Sequence, residues 1–136
     1  MNILILCTGN SCRSQMAHGY LTHFGKGIVI GYGAGIETHG VNPRAIKVMA
    51  EDGVDISKHT SNNIDEYLDI NFEHIITVCD HAKETCPVFP KSGNVVHHSF
   101  SDPYGATGTE EEILDQFRKV RDEIKAFIKA FLADKV

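Results

Sequence analysis

The 136-residue sequence has no cluster of lysine and arginine, no apolar run near the length of a membrane span, no internal repeat and no low-complexity tract. Each absence removes a class of function. Its 13 basic residues are dispersed in a chain of net charge -5, which argues against a nucleic-acid surface or an anionic membrane as the main partner. A membrane-spanning helix needs roughly 18 to 20 apolar residues, and none is present. The opening MNILIL lacks the basic start and the apolar core of roughly 7 to 15 residues that mark a secretory signal. These features read as a cytoplasmic protein. Cysteine is sparse too: four in a chain without an export signal are expected to be thiols, metal ligands or catalysts rather than a disulfide framework.

What is present fits one domain over residues 1–136, long enough for a core at 42% hydrophobic content. Asn2 to Leu6 is a continuous apolar run, as in a strand buried on both faces. From Ser14, the residues Met16, Ala17, Tyr20, Leu21 and Phe24 recur at helical spacing; Gly25 and Gly27 close that helix, and Ile28 to Tyr32 reads as a second strand. Pro43 opens a second helix that Gly53 stops, and Asn62 to Leu68 suggests a helical turn. His74 to Val78 and Asn94 to His97 are the third and fourth strands, and Glu110 to Leu132 is a long amphipathic helix. Alternating strands and helices predict an α/β fold: a single four-stranded parallel sheet with helices on both faces and a ligand site at the carboxyl ends of the strands.

The first such end carries CTGNSCRS, residues 7 to 14. Between a strand and a helix, the loop amides of Thr8, Gly9, Asn10, Ser11 and Cys12 and the helix start can converge on an oxyanion. Gly9 permits a close or left-handed backbone, Asn10 tolerates the same, and the planar fork of Arg13 binds two oxygens. That positive field also stabilises a thiolate. Cys7 is therefore read as a nucleophile with a pKa below the free value of about 8.5. Spacing alone leaves a second reading, a buried core thiol beside a solvated arginine.

CTGNSCRSQMA resembles the phosphate-binding loop of the low-molecular-weight protein tyrosine phosphatase fold, and in particular the thioredoxin-coupled arsenate reductases built on it. GIETHGVNPRAI, DISKHTS, TVCDHAKETCP and SDPYG extend the likeness in the same order over almost the whole chain. The resemblance implies that Cys7 attacks arsenate, that Cys79 attacks the Cys7–arsenic adduct and releases arsenite, and that Cys86 then attacks Cys79. A Cys79–Cys86 disulfide is left for thioredoxin. A phosphatase of this fold has no use for Cys79 or Cys86. If residues 80 to 86 are helical, the two cysteines stand about 10 Å apart along the axis, whereas disulfide Cα atoms lie about 4.4–6.8 Å apart. Helix and bond are incompatible, so this segment is expected to be ordered near the site when reduced and looped outward when oxidised.

The same resemblance makes Asp102, followed by Pro103, the general acid, and gives Ser14 a hydrogen bond to the Cys7 sulfur. Cys12 is assigned no step. A zinc site is disfavoured, because C-x4-C and C-x6-C lack the usual paired spacing. Some relatives hold potassium beside the loop, but His18, Asn62 and Gly33 stand at matching positions here, so no metal and no cofactor is expected. The expected partners are arsenate and thioredoxin, to a monomer, with no nucleic acid and no membrane. A phosphotyrosine phosphatase and a non-enzymatic oxyanion- or metal-binding sensor are the alternatives.

Overall fold

A computed structural model of the chain describes residues 1–7, 9, 12–78, 94–101 and 103–134, with only the main chain at 104. Four strands, β1 (Asn2–Cys7), β2 (Ile30–Gly35), β3 (His74–Thr77) and β4 (Asn94–His97), form one wholly parallel sheet in the order β2-β1-β3-β4. The helices are α1 (Arg13–Phe24), α2 (Pro43–Glu51) and α3 (Glu110–Ala133), with a short 3-10 helix at Ile64–Tyr67. No helix among the described residues is long and apolar enough to cross a membrane.

The unbroken apolar run of β1 is explained by its place at the centre of the sheet. Ile3, Leu4, Ile5 and Leu6 are all inaccessible to solvent, so both faces are covered. Register assigns the faces. Ile3 pairs with Gly31 and with His74. A Cβ on Gly31 would lie 3.2 Å from His18, Leu21 and Thr22 of α1, and the His74 ring meets Phe131 of α3 edge-on at 5.3 Å. α1 and α3 therefore pack on one face, with α2 against both. On the other face Tyr32 packs edge-on against Tyr67 of the 3-10 helix and against Phe72, each at 5.3 Å.

The second strand runs Ile30–Gly35 rather than Ile28 to Tyr32. Glycine weakens a strand by propensity, but the close seating of α1 on Gly31 favours a position without a side chain there. Elsewhere local chemistry sets the ends. Asn42 caps α2 through a 2.8 Å bond from the Arg44 amide, with Pro43 in the first turn. Thr109 and Glu112 form a reciprocal capping box at the start of α3. α3 buries Leu114, Phe117, Val120, Ile124, Ile128 and Leu132, while Ile113, Phe127 and Phe131 are half-buried. Asn62 to Leu68, read as a helical turn, is the 3-10 helix with its own Asn63–Glu66 box.

After β1 the chain crosses to β2 on one side and later returns to β3 on the other. The sheet's topological switch point thus lies between β1 and β3, where open parallel sheets bind ligands beyond the strand ends.

Candidate active site

Cys7 is the last residue of β1, 3% exposed and not in a disulfide. Main-chain pairing continues past the strand on both flanks. The Ile36 amide donates to the Cys7 carbonyl at 3.2 Å, and the Val78 amide donates to the Leu6 carbonyl at 3.0 Å. The end of β1 at Cys7 is thereby held between two neighbours at the switch point.

The loop beyond it is braced from one side. Gly9 accepts at its carbonyl from the His39 amide at 3.0 Å and from the Ser61 hydroxyl at 3.1 Å. Of the two conformations expected for Gly9, the structure has the close approach and not the left-handed backbone: a Cβ there would stand 2.5 Å from Nδ1 of His39. Around this pair, Asn63 Nδ2 donates to the Ile36 carbonyl at 3.0 Å and the Gly35 amide donates to the Asn62 carbonyl at 2.8 Å. Segments 35–39 and 61–63 thus form one brace against the loop.

At its far end, buried Cys12 stands at the N-cap of α1. Its carbonyl accepts from the Met16 amide at 3.0 Å, its side chain makes no capping bond, and the first turn contains no acidic residue. A helix start without a local carboxylate keeps its positive end for an anion. Arg13, the first residue of α1, donates from Nη1 to the Phe100 carbonyl at 3.0 Å, and so ties the helix to the chain leaving β4. That chain in turn extends the β3–β4 pairing, with the His98 amide on Thr77 and the Phe100 amide on Val78. Ser14 is fully buried.

Behind the loop lies a polar cluster. Buried Gln15 donates from Nε2 to the Thr60 carbonyl at 2.9 Å, so its Oε1 faces Nδ1 of His59 at 3.0 Å and must accept; Nδ1 of His59 carries the proton. The His59 ring stacks on His18 with centroids 4.4 Å apart. Burial and the neighbouring His59 push His18 down to about 4, and burial lowers His59 as well, so both rings are neutral near pH 7. At Asn62, Oδ1 accepts from the Thr60 hydroxyl and Nδ2 donates to Glu66.

The structure therefore brings Cys7, Gly9, Cys12, Arg13 and Ser14 into one strand–loop–helix unit. Thr8, Asn10, Ser11, Cys79, Cys86 and Asp102 lie outside the described residues, as does the 80–86 segment expected to change with oxidation. Of the participants absent from the sequence reading, His39 and Ser61 carry a weak local signal: polar residues inside the otherwise turn-forming stretches ETHG and KHTS.

Three comparisons bear on this unit. The family model described as low molecular weight phosphotyrosine protein phosphatase matches residues 2–136. The chain is 50% identical over 129 residues to a protein of Halalkalibacterium halodurans named arsenate reductase, covering 95% of this chain and 93% of that one. Among solved structures, an arsenate reductase in the phosphate-binding state aligns with TM-score 0.84 and 30% identity over 98% of this chain and 97% of the other. The YwlE arginine phosphatase of Geobacillus stearothermophilus aligns with TM-score 0.76 and 26% identity over 98% and 91%.

Proposed function

The chain belongs to the low molecular weight phosphotyrosine protein phosphatase family, and we propose from that premise that it reduces arsenate to arsenite through three of its own thiols. The Cys7 thiolate attacks arsenic(V), and hydroxide leaves as water once Asp102 has protonated it. The loop amides and Arg13 carry the oxyanion charge. Cys79 then attacks the sulfur of Cys7; the Cys7–Cys79 bond forms, the sulfur–arsenic bond breaks, and its electron pair departs on arsenic(III) as arsenite. Attack of Cys86 on Cys79 frees Cys7 as thiolate and leaves Cys79–Cys86 oxidised. A thioredoxin dithiol takes up that oxidation and resets the enzyme. Ser14 steadies the Cys7 thiolate, and Cys12 has no step. The protein works as a cytoplasmic monomer with no cofactor of its own.

One observation carries this reading. Leu6 and Val78, the residues immediately before Cys7 and Cys79, are bonded to each other across neighbouring strands at the switch point. In the sequence Cys7 follows Leu6 directly and Cys79 follows Val78 directly. Phe100, two residues before Asp102, is bonded both to Val78 and to Arg13.

The test is arsenate-dependent NADPH oxidation with thioredoxin and thioredoxin reductase. Cys7→Ser is expected to abolish it, and so are Cys79→Ser and Cys86→Ser, while the last two keep slow hydrolysis of para-nitrophenyl phosphate. Full reduction by Cys79→Ser would overturn the relay. The likeness to an arginine phosphatase supports the second reading, hydrolysis of a phosphorylated side chain by Cys7, Arg13 and Asp102 alone. No arsenate turnover in the wild type beside vigorous phosphatase activity would select it.

A further inference from the structure

We propose that His39, clasped by Glu37, is a positioning residue for the anion loop: its ring seats against Gly9 and holds the loop backbone in the shape that receives the oxyanion. The inference rests on the reading of residues 7 to 14 as an oxyanion loop. It goes beyond that reading because it assigns a role to a side chain on a different segment.

The ring is anchored at one end and applied at the other. His39 Nε2 lies 2.9 Å from Glu37 Oε2, and with a carboxylate as acceptor Nε2 carries the proton. At the opposite corner, Nδ1, Cγ and Cε1 would meet a Cβ on Gly9 at 2.5, 3.1 and 3.2 Å, so the ring occupies the volume that any side chain at position 9 requires. Nδ1 has no hydrogen-bond partner among the described residues, which leaves contact with Gly9 as what this edge of the ring does. The main chain of the same residue acts in the same sense. The His39 amide takes the Gly9 carbonyl, assisted by the Ser61 hydroxyl.

The consequence follows from peptide geometry. A peptide unit is planar, so a carbonyl held by two donors cannot turn without breaking them. The Gly9 carbonyl is held in this way by the His39 amide and the Ser61 hydroxyl, and a loop held in advance is what an oxyanion needs. The φ at position 9 also lies outside the left-handed range, so an alanine there meets no such backbone strain, and the three atoms nearest to its Cβ all belong to the ring. Beyond the main-chain hydrogen bond between them, the coupling of a side chain at 9 to the ring at 39 is steric.

Gly9→Ala, His39→Ala and the double variant test this, with two readouts: calorimetric Kd for inorganic phosphate, and KM and kcat for arsenate in the coupled assay. A Cβ 2.5 Å from Nδ1 is about 1 Å inside ordinary contact. Displacement on that scale can cost about a hundredfold, so Gly9→Ala should raise Kd and KM by at least about tenfold. His39→Ala keeps its amide bond to Gly9 and should raise both by roughly three- to tenfold with a smaller change in kcat. In the double variant the methyl has room, and Kd should return to within about threefold of His39→Ala alone rather than to the product of the two effects. Glu37→Ala, which leaves the ring but removes its anchor, should show part of the His39→Ala effect, while Glu37→Gln, which keeps an acceptor, should not. A double variant no better than Gly9→Ala, or His39→Ala and Glu37→Ala both indistinguishable from wild type, overturns the proposal. A wild type that binds neither phosphate nor arsenate defeats the oxyanion reading itself and this proposal with it.

Discussion

Acidification from about pH 7 to about pH 5 should destabilise the protein through one ring. His18 has an ordinary value of 6.5 and is pushed down to about 4 in the fold, chiefly by burial and then by His59, with a backbone hydrogen bond at Gly31 opposing. A depressed histidine means that the unfolded chain binds the proton first. Stability is therefore complete above the unfolded value, falls as pH drops from about 6.5 toward 4, and levels off below. For a single group with these two values the loss between pH 7 and pH 5 is about 2 kcal/mol. His59 is lowered by burial, with Asp55 opposing, and adds in the same direction. Glu51, Asp52, Asp55, Glu73 and Glu110 are all held low by hydrogen-bond partners, so their loss of stability is concentrated below about pH 4.5, outside this window. Urea unfolding at about pH 7, 6 and 5 measures the slope. His18→Gln cannot titrate and should lose about 2 kcal/mol less than wild type across the interval. Equal slopes in the two proteins, or a flat wild type, would refute the buried neutral imidazole.

Two further outcomes follow from the same structure. The fully buried Tyr20 donates to Asp52 Oδ2 at 2.7 Å while Lys125 lies 2.9 Å from the same oxygen, so Tyr20→Phe removes one bond without orphaning the carboxylate. It should cost only about 1 kcal/mol by urea unfolding and leave arsenate KM unchanged. Titration of iodoacetamide capture at Cys7 should report a value below the ordinary thiol figure of about 8.5, with Arg13→Ala moving it back up; an ordinary value in the wild type would mean that the loop exerts no positive field on the sulfur.

Most of the fold was legible because its signals are local. The apolar run of β1 needs burial on both faces, Pro43 suits the first turn of a helix, and the stripe from Leu114 to Leu132 keeps one helical period along most of a 24-residue helix. β2 was misplaced because glycine carries two meanings, a breaker by propensity and an approach site by packing, and only the helix lying across Gly31 decides between them. The site divided in the same way. Cys7, Arg13 and the small residues between them advertise an anion loop by spacing alone. The brace from His39, Ser61 and Asn63 is made of tertiary contacts between distant segments, and the weak local signal at His39 and Ser61 names no partner. The close approach at Gly9 was anticipated as a possibility of glycine, but the partner making it was not.

Gly31 on β2 acts as a spacer. The depth to which α1 sinks onto Gly31 sets how high the opposite end of that rigid rod, with Arg13 at its tip, stands over the last residue of β1. A methyl at position 31 would lift the rod by a few tenths of an ångström and tilt a guanidinium about two turns away. A screen scoring turnover alone would then group Gly31 with the reacting residues, although it touches no substrate and sits on the outermost strand.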